Sequence, residues 1–115
     1  MPVSPITTHV LDTARGCPAQ GVPISIEIER GGTFEPLGKG ETNSDGRVTD
    51  LLPHDRELEP GRYRMRFETS KYFSANNCSG FYPYVEVVFE IANSKQHYHI
   101  PLLLSPFGYS TYRGS

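Results

Sequence analysis

Val22-Pro-Ile-Ser-Ile-Glu-Ile-Glu29 alternates with period two: Val22, Ile24, Ile26 and Ile28 share one face, and Ser25, Glu27 and Glu29 take the other. A helix would scatter these apolar groups around its axis. An extended chain gathers them on one side, so the stretch reads as a strand with one buried and one wet face. Two more stretches repeat the pattern. Arg62-Tyr-Arg-Met-Arg-Phe-Glu68 turns Tyr63, Met65 and Phe67 inward and charge outward, and Val85-Glu-Val-Val-Phe-Glu-Ile91 turns Val85, Val87, Phe89 and Ile91 inward. Turn signals at Gly16-Cys-Pro18, Gly31-Gly32, Ser44-Asp-Gly46, Glu59-Pro-Gly61 and Ser105-Pro106 punctuate the chain at short spacing, as in an all-β sandwich or barrel. Ser70 to Asn77 has weak helical character, with Ser70 as the expected cap and the Asn pair as the expected end.

A chain of 115 residues is expected to form one domain, spanning residues 1–115. The hydrophobic content of 37% and charged content of 21% exclude a disordered composition. A formal charge of −2 gives no electrostatic reason for nucleic acid or an anionic membrane as partner. Cys17 and Cys78 are too few for a disulfide framework and are read as reduced thiols. No apolar run resembles a signal peptide or could span a bilayer. The expected location is cytoplasmic, or peroxisomal if a targeting segment is missing or atypical, because Arg-Gly-Ser is not the C-terminal peroxisomal address.

In His97-Tyr-His-Ile-Pro-Leu-Leu-Leu104, Tyr98, Ile100, Leu102 and Leu104 form one face, and His99, Pro101 and Leu103 form the other, with His97 in phase. A strand apolar on both faces is normally covered on both. In so small a sandwich the second cover is expected to be another subunit. Pro101 has no N–H, so one ladder bond goes unmade there.

No phosphate loop, serine elbow or Cys–His signature is present. His97 and His99 stand at i, i+2 on one strand face, which could in principle ligate a metal, but no further Cys or His cluster completes a site, so no metal is expected. His9 and Leu11 share one face of Ile6-Thr-Thr-His-Val-Leu-Asp12, opposite Thr8 and Val10. Read alone, His9 and His99 are exposed strand histidines, Arg47 is a solvated arginine after the Asp45-Gly46 turn, and His54 is a surface histidine in a polar loop.

The segment His97 to Ser115, ending Ser105-Pro-Phe-Gly-Tyr-Ser-Thr-Tyr-Arg-Gly-Ser115, resembles the signature of the 5-hydroxyisourate hydrolases. Thr8-His-Val-Leu-Asp12, Asp45-Gly-Arg47 and Phe81-Tyr-Pro-Tyr-Val-Glu-Val-Val-Phe89 are similar to that family as well, so the resemblance covers essentially the whole chain in order. The closing Tyr112-Arg-Gly-Ser115 is its most specific part, and it separates the hydrolases from transthyretin. The resemblance implies a transthyretin-like two-sheet β-sandwich with one short helix, assembled as a homotetramer. It also implies an active site at His9, Arg47 and His99, joined by Tyr112 to Ser115, with His9, Arg47, Tyr112 and Ser115 on the substrate. Transthyretin has other side chains at the positions of His9, Arg47, His99 and Tyr112.

The implied reaction opens the six-membered ring of 5-hydroxyisourate at its N1–C6 amide, giving 2-oxo-4-hydroxy-4-carboxy-5-ureidoimidazoline in urate degradation, without a cofactor. His9 or His99 is the expected base, and nearby Arg47 is expected to favour their neutral forms. If the faces of His9, His99 and Tyr112 line one groove between subunits, that groove is a shallow pocket suited to a flat bicyclic substrate. A bend at Gly114 is expected to turn Ser115 and its α-carboxylate into the pocket. The alternative is a transthyretin-like carrier that binds a small ligand without turnover; a third reading is a structural sandwich domain.

Overall fold

The computed structural model describes residues 4–114. In chain order the elements are β1 (Ile6–Asp12), β2 (Cys17–Pro18), β3 (Pro23–Arg30), β4 (Thr33–Glu41), β5 (Arg47–Val48), β6 (Gly61–Phe67), α1 (Thr69–Ala75), β7 (Val85–Ile91), β8 (Tyr98–Ser105) and β9 (Gly108–Thr111). The three alternating stretches are the neighbours β3, β6 and β7 of one antiparallel sheet, ordered β4-β3-β6-β7. The other sheet runs β2-β1-β8-β9, and β5 also pairs with β1. This is the expected all-β sandwich with one short helix.

The core takes the inward positions of both sheets. Ile24, Ile26 and Ile28 on β3, and Tyr63, Met65 and Phe67 on β6, are buried with Val10, Ile100, Leu102 and Leu104 of the second sheet. Burying one such side chain stabilises the fold by roughly 1.5–3 kcal/mol, so the period-two pattern alone commits each strand's facing. On β7, Val85 and Ile91 are buried while Val87 and Phe89 are half-buried, because β7 is an edge strand. On the outer face of this sheet Arg64 pairs with Glu27 at 2.8 Å and Arg66 with Glu68 at 2.6 Å.

β4 lacks any apolar alternation, and nothing in its composition announces a nine-residue strand. It is the other edge of its sheet, joined to β3 by the Gly31-Gly32 turn between the paired Arg30 and Thr33. Its register shifts opposite Ile26 and Glu27, so that Gly38 and Pro36 face consecutive residues and Leu37 is extra. An edge strand tolerates such a bulge and a proline, because one side of its backbone pairs with nothing.

The helix begins at Thr69, so Ser70 lies inside its first turn and is not the cap expected from sequence. Glu68 stands at the cap position, and its side chain makes no capping bond to the helix. The Thr69 hydroxyl instead donates to the Tyr82 carbonyl, tying the helix start to a neighbouring loop. The end falls at Asn76, within the expected pair. Tyr72 and Phe73 are the helix's buried aromatic side chains. No helix among the described residues is long and apolar enough to cross a membrane.

Candidate active site

β1 and β8 are long-range neighbours running parallel, with Thr7 opposite His99 and His9 opposite Pro101. β5 lies antiparallel on the other side of β1, with Arg47 opposite His9. Thr8, Val10, Ile100 and Leu102 are buried on the core side, so Thr7, His9, Leu11, Arg47, His99 and Leu103 all belong to the outer face. On β9, Ser110 pairs with Leu103, which puts Tyr112 in phase on that same face. Strand geometry sets the Cα atoms of the diagonal neighbours His9 and His99 roughly 8 Å apart.

Arg47 owes its place to a tight turn. Gly46 has φ +75°, and a Cβ there would stand 2.4 Å from the Val10 carbonyl oxygen. Only glycine fits that approach without strain. The Gly46 carbonyl accepts from the Val10 N–H at 2.7 Å, locking the turn onto β1. The Asn43 side chain accepts from the N–H groups of Asp45 and Arg47, at 2.9 and 3.1 Å. Asn43 therefore positions Arg47 through the backbone, a role sequence reading missed although Asn-Ser-Asp-Gly is a turn-former. The Arg47 side chain is exposed, and it makes no ion pair among the described residues.

Both histidines are half-buried and hold their protons less tightly than a free imidazole. Burial is the leading cause for His9, followed by Arg47, and the backbone and carboxylate of Asp45 partly oppose it. For His99 burial again comes first, then Arg47, His97 and His9. The direction is the one expected from Arg47, but desolvation exceeds the charge effect.

A further residue joins the group. Thr7 lies on the outer face yet is only 4% exposed, because the rings of His97 and His99 cover it. Its hydroxyl is 2.8 Å from His99 Nδ1 and 3.2 Å from His97 Nε2. Its phase with His9 was legible, but its partners lie about ninety residues away in the chain. His97 itself is exposed and precedes β8. No group of three or more His, Cys, Asp or Glu suited to a metal occurs among the described residues.

The chain's last described stretch crosses this face. Gly114 bridges to His99 and donates its N–H to the His99 carbonyl at 2.9 Å. Pro101 is buried although it faces outward, and Gly114 lies against it. The second apolar face of β8 is thus covered in part by its own chain, while Leu11 and Leu103 stay half-buried. Arg113 points elsewhere: its guanidinium stacks 4.6 Å over the Tyr98 ring and donates to Gln96, anchoring the segment. Tyr112 is 59% exposed and borders a cleft of about 230 Å³ that His99 also lines and His9 and Arg47 do not. Ser115, expected at the site, lies outside the described residues, and His54 sits in an exposed loop.

The face therefore presents two neutral-leaning imidazoles, an exposed guanidinium and a phenol: acid–base groups and an anion-binding fork on one sheet. The chain is 49% identical over its whole length to a probable 5-hydroxyisourate hydrolase of Caenorhabditis elegans, spanning 84% of that protein. Among solved structures it resembles the 5-hydroxyisourate hydrolase of Klebsiella pneumoniae (TM-score 0.83, 34% identity, 96% of this chain and 98% of that one). It also resembles sea bream transthyretin solved with thyroxine (TM-score 0.89, 29% identity, 96% of this chain and 94% of that one). Both solved structures share this chain's backbone. With the HIUase/Transthyretin family model matching residues 6–114, the chain belongs to the HIUase/Transthyretin family.

Proposed function

We propose that this protein is a 5-hydroxyisourate hydrolase acting in urate degradation, with its active site on the outer face of the β1–β8 sheet. The observation that carries the reading is the convergence of His9, Arg47 and His99 on one open face from three strands distant in sequence. A carrier needs no such set of acid–base groups; a hydrolase does.

In the proposed reaction a neutral imidazole, that of His9 or His99, takes a proton from water as it attacks C6 of the substrate. Burial and the Arg47 charge keep that imidazole neutral near pH 7, the form a base requires. Arg47 forks onto the substrate's oxygens and opposes charge developing on the carbonyl oxygen, a contribution of roughly 3–4 kcal/mol for one well-placed donor. Tyr112 covers the ring, and Ser115 completes the substrate contacts. The N1–C6 bond breaks, the nitrogen takes a proton, and the ureidoimidazoline carboxylate leaves. No covalent intermediate or cofactor enters this scheme.

A single copy offers the substrate an open face and no roof. The half-buried Leu11 and Leu103, register partners on that face, favour a second copy as the cover, within a homotetramer. The test follows the decay of 5-hydroxyisourate absorbance against the buffer rate. The expected result is strong acceleration by the wild type, lost in His9→Ala, Arg47→Ala and His99→Ala with folding intact. A wild-type rate equal to buffer, with tight binding of a flat aromatic ligand, would favour the carrier reading.

A further inference from the structure

On the hydrolase reading above, we propose that Thr7 and His97 are positioning residues that fix the His99 tautomer, holding its proton on Nδ1 and leaving Nε2 free as the catalytic base. The argument starts from the capacity of one hydroxyl. Thr7 Oγ1 contacts a nitrogen of each ring, His99 Nδ1 at 2.8 Å and His97 Nε2 at 3.2 Å. It carries a single proton and two lone pairs. If both rings donated to it, its own proton would lack an acceptor in a nearly buried site, at the full cost of an unmade bond. One ring therefore donates to Thr7 and the other accepts from it.

Two polarities remain. In the first, His99 Nδ1–H donates to Thr7 and Thr7 donates to His97 Nε2, so Nε2 of His99, the nitrogen Thr7 leaves free, presents a lone pair. In the second, Nε2 of His99 carries the proton. On the hydrolase reading only the first is productive, because a base needs a lone pair on the nitrogen that can reach water. His97 is exposed, so its remaining N–H is satisfied by water. His9 has no hydroxyl partner among the described residues and faces the Asp45 backbone instead.

The experiment is long-range proton–nitrogen NMR of the imidazoles in the intact protein, combined with kinetics. In the wild type at neutral pH, His99 should show the Nδ1–H tautomer. Thr7→Val, close in shape to the native residue, should shift His99 toward Nε2–H. It should lower kcat by at least roughly tenfold, a fraction of what a positioned general base contributes, while KM changes less than about twofold. Thr7→Ser should restore both the tautomer and most of the lost rate. His97→Gln, whose amide oxygen can accept from Thr7, should keep His99 in the Nδ1–H form. A wild-type His99 in the Nε2–H form, or a Thr7→Val protein with an unchanged tautomer, would overturn the proposal. The tautomer is read without substrate. A chain that fails to hydrolyse 5-hydroxyisourate therefore refutes the hydrolase reading, and one that hydrolyses it with His99 as Nε2–H refutes only the relay.

Discussion

Gly114 lies so close over His99 that a Cβ at position 114 would stand 2.5 Å from the ring's Cδ2 and 3.3 Å from Pro101 Cγ. The contact is held from both sides, by the Gly114 N–H on the His99 carbonyl and by the stacking of Arg113 on Tyr98. Gly114→Ala should therefore displace the His99 ring or lift the chain end away from it. A misplacement on the order of 1 Å costs about a hundredfold in rate, so kcat should fall steeply while the melting temperature barely moves. An active Gly114→Ala protein with wild-type kcat would show that the ring position is not critical.

Acid should silence the enzyme at a lower pH than a free histidine would suggest. Burial and Arg47 both penalise the imidazolium, so His9 and His99 stay neutral as pH falls to about 6.5, the unperturbed value, and protonate below it. A base works only when neutral, so the acid limb of kcat/KM should have its midpoint below about 6.5. Removing the charge with Arg47→Gln should raise both titration midpoints, followed by NMR. The rise should be partial, because burial is the larger cause in each case. Midpoints unmoved in Arg47→Gln would mean that the guanidinium does not act on either ring.

The strands β3, β6 and β7, and the facing of His9 with Leu11 and of His99 with Leu103, were legible because they depend only on alternation within one segment. The juxtaposition that makes a site was not legible from any segment. It comes from the parallel pairing of Ile6–Asp12 with Tyr98–Ser105, whose partners are about ninety residues apart, and family resemblance supplied it. β4 escaped notice because Pro36, Gly38 and Gly40 remove its apolar pattern, and an edge strand can tolerate them. The helix start misled because its anchor is a tertiary bond from Thr69 to Tyr82, not a local cap. Thr7 was overlooked because a threonine between two strand residues carries no signal until His97 and His99 are folded over it.

Assembly should depend on the outer face of β8. Leu103 pairs with Leu11 across β1 and with Ser110 across β9, at the middle of the half-buried patch. A charge at this point would be stranded if a second copy covers it, at a cost of several kcal/mol. Leu103→Lys should therefore sediment as a smaller species than wild type and lose activity as the groove opens. An unchanged tetramer in sedimentation velocity would place the interface on another face. A wild-type protein that is an active monomer would refute the assembly altogether.

The buried contact between Tyr72 and Asp12 should matter for stability and not for catalysis. Asp12 is 2% exposed at the end of β1, and its two oxygens are used differently. Oδ2 accepts from the Tyr72 hydroxyl at 2.7 Å, and Oδ1 accepts from the Arg15 N–H at 3.0 Å. Burial first, and then Asp12, push the Tyr72 hydroxyl up to about 12, so it remains a donor throughout the neutral range. This one bond fastens α1 to the sheet that carries the site, from the core side. Tyr72→Phe keeps the ring and its packing but leaves a carboxylate oxygen buried without its partner. The loss should be about 1–3 kcal/mol, the cost of an unsatisfied buried group. Each kcal/mol lowers the melting temperature by roughly 4–8 °C in a domain near this size, with protein concentration held constant. At 25 °C the folded enzyme should retain wild-type kcat, because Asp12 faces the core while His9 faces outward. Asp12→Asn in the Tyr72→Phe background should recover part of the loss by removing the stranded charge. A melting temperature unchanged in Tyr72→Phe would mean that water replaces the phenol and the bond carries no net stability.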